Sequence, residues 1–231
     1  MERRLLAKPL FLDRTDAGRR LGEALLDERG PDRVVVGLAR GGVQVAAEVA
    51  RALEAPLDVV AVRKVRYPGQ PEYALGAVTP GDGVYVRGPN GLTDEQVAQA
   101  VATVKDQALE LDRRLHARRA SMSLEQKTAI LVDDGLATGA TMIAAARWAK
   151  AAGAGCVVAA VPVAAAESVR LLRREVDDVV ALHAPHRFFA VAAWYAHFPQ
   201  IDDDDVLQLL AAAARRHEAA LEASRGRSPT P

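Results

Sequence analysis

Short apolar runs alternate along this chain with longer segments whose apolar positions recur every three or four residues. Residues 34–38 (VVVGL run) predict a buried strand and 43–53 the helix after it. Residues 57–62 predict the next strand. Residues 75–78 and 84–86 are short apolar runs separated by Pro80, Gly81 and Gly83, which predicts a hairpin. Thr93 caps a long helical pattern reaching about residue 119, with Asp94 and Glu95 in its first turn and arginines in its last, as the helix dipole favours. Strands are predicted at 130–132, 156–163 and 179–183, and helices at 141–152 (stopped by Gly153), 167–174 and 206–221. This alternation predicts an α/β fold, with a mostly parallel sheet covered by helices on both faces. Ligands of such sheets bind beyond the carboxyl ends of the strands.

At 231 residues, half of them hydrophobic, the chain is long enough for one large core, and a single domain over 1–222 is expected. Thirty basic residues balance thirty acidic ones, so no basic footprint for nucleic acid is present. The single Cys156 excludes a disulfide or thiolate cluster within the chain and suits a reducing, cytoplasmic setting. The longest apolar run, 156–166, is too short to span a bilayer, so no membrane partner is expected. The last residues, 223–231 (ASRGRSPTP), have the composition of a disordered tail.

Chemistry concentrates at residues 129–142, AILVDDGLATGATM. A strand ends in Asp133 and Asp134, and a small-residue loop (Gly135, Ala137, Thr138, Gly139, Ala140, Thr141) opens the following helix. Backbone N–H groups of such a loop form an anion nest reinforced by the helix dipole. The two threonine hydroxyls can add hydrogen bonds, and the carboxylates can accept from a vicinal diol or hold water on a divalent metal. The order of parts excludes a Walker loop, which needs Gly-Lys-Ser/Thr, and a dinucleotide fingerprint, whose acid follows the glycines at a distance. The plainer alternative is a strand–turn–helix junction with Asp as cap.

This stretch resembles the PRPP-binding motif of type I phosphoribosyltransferases, in which the acidic pair binds the ribose hydroxyls and the loop wraps the 5′-phosphate. LARGGV at 38–43 resembles the pyrophosphate loop of that family. There Ala39, Arg40, Gly41 and Gly42 bring charge and close backbone approach, and the resemblance implies a non-proline cis peptide at Ala39–Arg40. Arg63 and Lys64, placed at the end of the strand 57–62, suit a clamp for leaving pyrophosphate. The Pro- and Gly-rich stretch after them suits a lid, in which Glu72 is a candidate base or acceptor-orienting group. Further on, HAPHRFFAVAAWYAHF at 183–198 stands where the family places a hood, about 183–205 together with the N-terminal segment. Phe188, Phe189, Trp194 and Tyr195 are candidates for stacking on a planar acceptor, beside the plainer role of packing the hood. His183 and His186 lack a third ligand, so no metal site is expected there. The acidic run 202–205 reads as an N-terminal cap of the last helix rather than a metal site.

The order of FLDRTDAGRRL, VVGLARGGV, VRKV…PGQPEYALGAV, VDDGLATGATM and AVAAWYAHFPQIDDDDV looks like a group of predicted bacterial phosphoribosyltransferases of unassigned acceptor. The resemblance implies a pentosyltransferase. It would move phosphoribosyl from PRPP to a nitrogen of a heterocyclic acceptor, with Mg²⁺ held indirectly by Asp133 and Asp134 through water. Catalysis would fall to Arg40, Lys64, Asp133 and Asp134, and a homodimer is expected. Two departures stand out: Ala39 where the group commonly has Pro, and Ala137 where 6-oxopurine enzymes carry an Asp taken as general base. The second keeps open a non-catalytic PRPP- or nucleotide-binding regulator on the same fold. The helical insertion 93–119 could serve a dimer contact or shield the site, and the sequence leaves both open.

Overall fold

The computed structural model describes residues 9–88, 91–117 and 119–225. Its centre is a five-stranded, wholly parallel sheet in the order β2-β1-β6-β7-β8, built from β1 (Arg33–Ala39), β2 (Leu57–Ala61), β6 (Thr128–Val132), β7 (Cys156–Val163) and β8 (Asp178–His183). Strand side chains alternate between faces. In β1, Val34, Val36 and Leu38 join the core under α4 (Ala140–Ala151) and α5 (Ala166–Leu172), while Val35 faces the opposite layer. In β6, Ala129 and Leu131 face the first layer, and Ile130 and Val132 the second. The second layer comprises α1 (Arg14–Ala24), α2 (Gly41–Leu53), the C-terminal half of α3 (Asp94–Leu115) and the start of α6 (Asp203–Arg225). Because both faces are covered, the strands are near-continuous apolar runs, which makes them legible in the sequence.

A second, antiparallel sheet of β3 (Arg63–Tyr67), β4 (Gln70–Val78) and β5 (Val84–Val86) leans on α3 and α4. The hairpin expected at 75–86 is its β4–β5 pair. The stretch expected as a strand end plus lid is different. β2 stops at Ala61, and Arg63 and Lys64 begin a new strand that pairs with Val78 and Ala77. Pro68 and Gly69 form the β3–β4 turn, with Gly69 at φ +76° as such a turn favours. Charged residues at alternate positions of β3 face outward around a fully buried Val65, which hides the strand from an apolar-run search.

Helix α3 is capped as expected. Thr93 accepts from the Gln96 N–H and the Gln96 side chain accepts from the Thr93 N–H, a complete capping box. Helix α1 has no counterpart among the predicted elements. It buries Gly18, Leu21 and Gly22 against α2 and Ala17 beside Phe11, Val163 and Tyr195, and small residues carry little hydropathy signal. A Cβ on Gly18 would come within 2.8 Å of the Val45 carbonyl oxygen, so the two helices meet backbone to backbone there. Helix α6 begins at Asp203 and continues to Arg225, so residues 223–225 of the expected tail are helical; residues 226–231 lie outside the described residues. Between β8 and α6 the chain makes only a short 3-10 turn, Val191–Trp194. The N-terminal segment adds to it, with the Leu10 and Phe11 N–H groups donating to the Trp194 carbonyl.

Candidate active site

β6 delivers Asp133 and Asp134 to the carboxyl edge of the sheet. Both are held in place before any ligand arrives. The Asp133 Oδ1 accepts from the Asp134 N–H at 2.9 Å. The Asp134 Oδ2 accepts from Arg14 Nε at 2.8 Å, while Arg14 also donates to the Pro199 carbonyl and lies 3.7 Å over the Phe198 ring. The Tyr195 hydroxyl donates to the Asp134 carbonyl at 2.6 Å. Burial pushes both carboxyls above their usual range; for Asp133 the neighbouring Asp134 charge adds to it, and Lys64 and Arg14 oppose it in both. Burial likewise pushes the Tyr195 phenol upward, so it remains a donor.

The loop after the acidic pair is docked at its first half and open at its second. Leu136 exchanges hydrogen bonds with Val163 and Ala165, and Ser168 Oγ donates to the Ala137 carbonyl at 2.7 Å. Gly139, at φ +80°, caps α4 without any side-chain hydrogen bond. The first N–H groups of α4 therefore face the loop as free donors, and Ala137 and Thr138 are exposed above them.

A second uncapped helix start lies beside the first. The Ala39–Arg40 peptide is cis, and Arg40 caps α2 with no side-chain bond. Gly41 and Gly42 touch the acidic pair: a Cβ on Gly41 would strike the Asp134 carboxylate, and one on Gly42 would lie 2.6 Å from the Val132 carbonyl oxygen. Only glycine lets the two loops approach so closely.

These parts open onto one cleft of about 940 Å³. Of the residues singled out in the sequence, Ala39, Arg40, Arg63, Lys64, Asp133 and Asp134 line it, as do Gly135, Ala137, Thr138, Gly139 and Thr141. Gly41, Gly42 and Ala140 lie behind this surface as backbone of the helix starts. The four aromatic candidates do not line the cleft. Tyr195 is buried and tied to Asp134, Phe188 packs against Trp194, and Phe189 is 90% exposed. From this segment only Val191 reaches the cleft. The Glu72 side chain lies outside the described residues, although its backbone belongs to β4.

Other residues, to which the sequence motifs assign no role there, also reach the site. Arg14 comes from α1, and Asp106, Gln107, Glu110 and Arg114 line the cleft from α3. Asp203 sits 2.7 Å from Arg40 Nε. Asp202 and Asp205 cap α6 reciprocally, as the acidic run suggests, which leaves Asp203 for this contact. No group of three or more His, Cys, Asp or Glu side chains stands together among the described residues, and no described helix is long and apolar enough to cross a membrane.

A profile of the Phosphoribosyl transferase domain matches residues 11–193. Two Mycobacterium tuberculosis proteins, from strains CDC 1551 and H37Rv and named provisionally as a phosphoribosyl transferase, are 44% identical over 211 residues. These matches cover 89% of this chain and 47% of each relative, so the chain spans about half the length of the curated relatives it matches. The crystal structure of TT1426 from Thermus thermophilus superposes with a TM-score of 0.74 at 43% identity, covering 87% of this chain and 97% of that one. The AQ2163 protein of Aquifex aeolicus, 15% identical over 79% of this chain and 84% of its own, shares the fold with a TM-score of 0.50. With the acidic pair, the glycine loop and the cis peptide all inside the matched segment, the chain belongs to the phosphoribosyl transferase domain family.

Proposed function

We propose that the chain is a PRPP-dependent phosphoribosyltransferase that forms a C1–N bond and releases pyrophosphate. One observation carries this reading: two uncapped helix starts, those of α2 and α4, flank a half-buried acidic pair and open onto the same cleft. A phosphate at one end, a diol in the middle and a diphosphate at the other is the pattern that such a site complements. The α4 loop with Thr138 and Thr141 would take the 5′-phosphate, and Asp133 and Asp134 the ribose hydroxyls. Arg40, Arg63 and Lys64, with the Gly41–Gly42 backbone, would take the pyrophosphate. As the C1–O bond breaks, its electron pair leaves on pyrophosphate, where these cations stabilise it. The acceptor nitrogen then gives its lone pair to C1, and its N–H proton passes to water or to the departing pyrophosphate. Positioning and charge stabilisation supply the catalysis.

Mg²⁺, when bound, neutralises pyrophosphate charge. A cation of this kind is held mainly by substrate phosphates, and Asp133 and Asp134 would reach it through water. The hood wall facing the cleft is Val191, so apolar contact there has more support than ring stacking. A homodimer in the cytoplasm extends the same reading and is open to sedimentation and localisation measurements.

Calorimetry with PRPP and Mg²⁺ tests the donor. Asp133→Asn and Asp134→Asn should each weaken binding at least about tenfold, the worth of one charge-assisted hydrogen bond. Unchanged affinity in both rejects the assignment. A second reading, a PRPP-binding regulator, is favoured by Ala137, which places no carboxylate in the cradle. Pyrophosphate release with a panel of nitrogen acceptors separates the two, and no release with any acceptor selects the regulator.

A further inference from the structure

One carboxylate ties two separate walls of the cleft together. Asp203, in the first turn of α6, has Oδ1 2.7 Å from Arg40 Nε and Oδ2 2.9 Å from an Arg114 terminal nitrogen. Arg40 belongs to the cis-peptide loop and Arg114 to the last turns of α3, and both line the cleft. The Arg40 contact is an ion pair without an aligned hydrogen bond, since Oδ1 is buried and has no such partner. Arg63 stands within the same field: burial and the charges of Arg40 and Arg114 lower its pKa, and Asp203 opposes them. Two guanidinium groups therefore meet at a single carboxylate that does not itself line the cleft, and Arg63 lines the same cleft within reach of their charges.

Helix capping does not account for Asp203. The reciprocal cap is made by Asp202 and Asp205, and Asp204, in the same turn, is exposed. Nor does surface pairing, because Asp203 is 20% exposed and pairs with two arginines at once. A carboxylate so placed offsets the mutual repulsion of the arginines. It holds one edge of each and leaves their other N–H groups to turn toward an anion.

We propose that Arg114 is a further pyrophosphate-binding residue and that Asp203 is the positioning residue that aims Arg40 and Arg114 into the cleft. This inference rests on the PRPP reading above. It makes the α3 insertion a wall of the donor site.

Charge and positioning predict opposite signs. By charge alone, Asp203→Asn removes a negative group beside an anion site and should tighten anion binding. By positioning, the same change releases the arginines and should weaken it. The test is calorimetry of PRPP, inorganic pyrophosphate and ribose 5-phosphate against the intact protein and Arg114→Gln, Asp203→Asn, Asp203→Glu and Asp204→Asn. Arg114→Gln and Asp203→Asn should each weaken PRPP and pyrophosphate about tenfold, as expected for loss of one charge-assisted contact, and leave ribose 5-phosphate within about twofold. Asp203→Glu should recover part of the loss, and Asp204→Asn should match the unaltered protein. Unchanged or tighter pyrophosphate binding in Asp203→Asn overturns the proposal, as does an equal loss for ribose 5-phosphate. Arg114 is half-exposed, so Arg114→Gln carries the test if Asp203→Asn does not fold. An unaltered protein that binds PRPP while no variant changes refutes this inference alone; one that binds none of the three ligands refutes the PRPP reading with it.

Discussion

Arg14 and Asp134, 120 residues apart, form a buried ion pair at 2.8 Å, with side chains 6% and 15% exposed. The pair fixes one oxygen of the second acidic residue and leaves the other available. Removing one partner of a buried pair costs about 3–5 kcal/mol, because the remaining charge is stranded. Arg14→Leu should therefore lower Tm by about 6–20 °C at neutral pH, for a chain of this size. A thermal melt within about 2 °C of the unaltered protein, the spread of ordinary surface changes, would show that the pair is not what anchors Asp134.

Gly41→Ala should act on the same carboxylate from the opposite side. The added methyl would strike the Asp134 carboxylate and push it off Arg14. Overpacking of this kind costs about 1–3 kcal/mol. PRPP affinity should fall together with stability. Calorimetry and a denaturant melt on one preparation check both, and a stable variant with full affinity contradicts the close approach of the two loops.

Asp133→Asn should separate stability from binding. Burial and the Asp134 charge raise the Asp133 carboxyl above its ordinary value of 3.8. A raised carboxyl contributes stability below its unfolded pKa and loses it as pH rises through the folded one. The asparagine variant escapes that loss, so at neutral pH it should melt higher than the unaltered protein, with the gap closing below about pH 4. Its PRPP affinity should nonetheless drop. A lower melting point at neutral pH would mean that the carboxylate stabilises the apo fold.

His116, at the end of α3, lies 3.3 Å from Asp58 and 3.2 Å from Asp112. Its hydrogen bonds to Asp112 and Asp58 hold its pKa up to about 10. This histidine contributes stability in full below its unfolded pKa near 6.5 and loses it as pH rises through about 10. Stability should decline across that window, and His116→Gln should flatten the decline. An unchanged slope in denaturant melts at several pH values would remove His116 as its source. Asp58 is 2% exposed and also accepts from Arg119 and the Met122 N–H, so the same cluster pins the end of α3 to β2.

What the sequence shows here follows the range of the interactions. The strand–acid–glycine loop–helix unit and the LARGG turn are legible because anion nests are built from consecutive backbone groups. The roles of Arg14, Arg114 and Asp203 are not, since each acts on the cleft or on a residue lining it from a distant element, which local spacing does not reveal. β3 escapes an apolar-run reading because its charged residues face outward, and α1 escapes it because it packs through alanine and glycine. Tyr195 has the look of an acceptor-stacking ring, yet its hydroxyl is committed to the Asp134 carbonyl, a bond visible only once the segment folds back over the sheet.

The second bond of Arg14, to the Pro199 carbonyl 185 residues later, has a consequence for biosynthesis. Arg14 cannot complete its contacts until the chain has been translated past Pro199. A nascent chain stalled before Pro199 would carry the acidic pair without its full clamp. Products truncated before Pro199 should therefore hold the Asp134 carboxylate less firmly even where their sheet has formed, because the Arg14 clamp closes only once both segments are present.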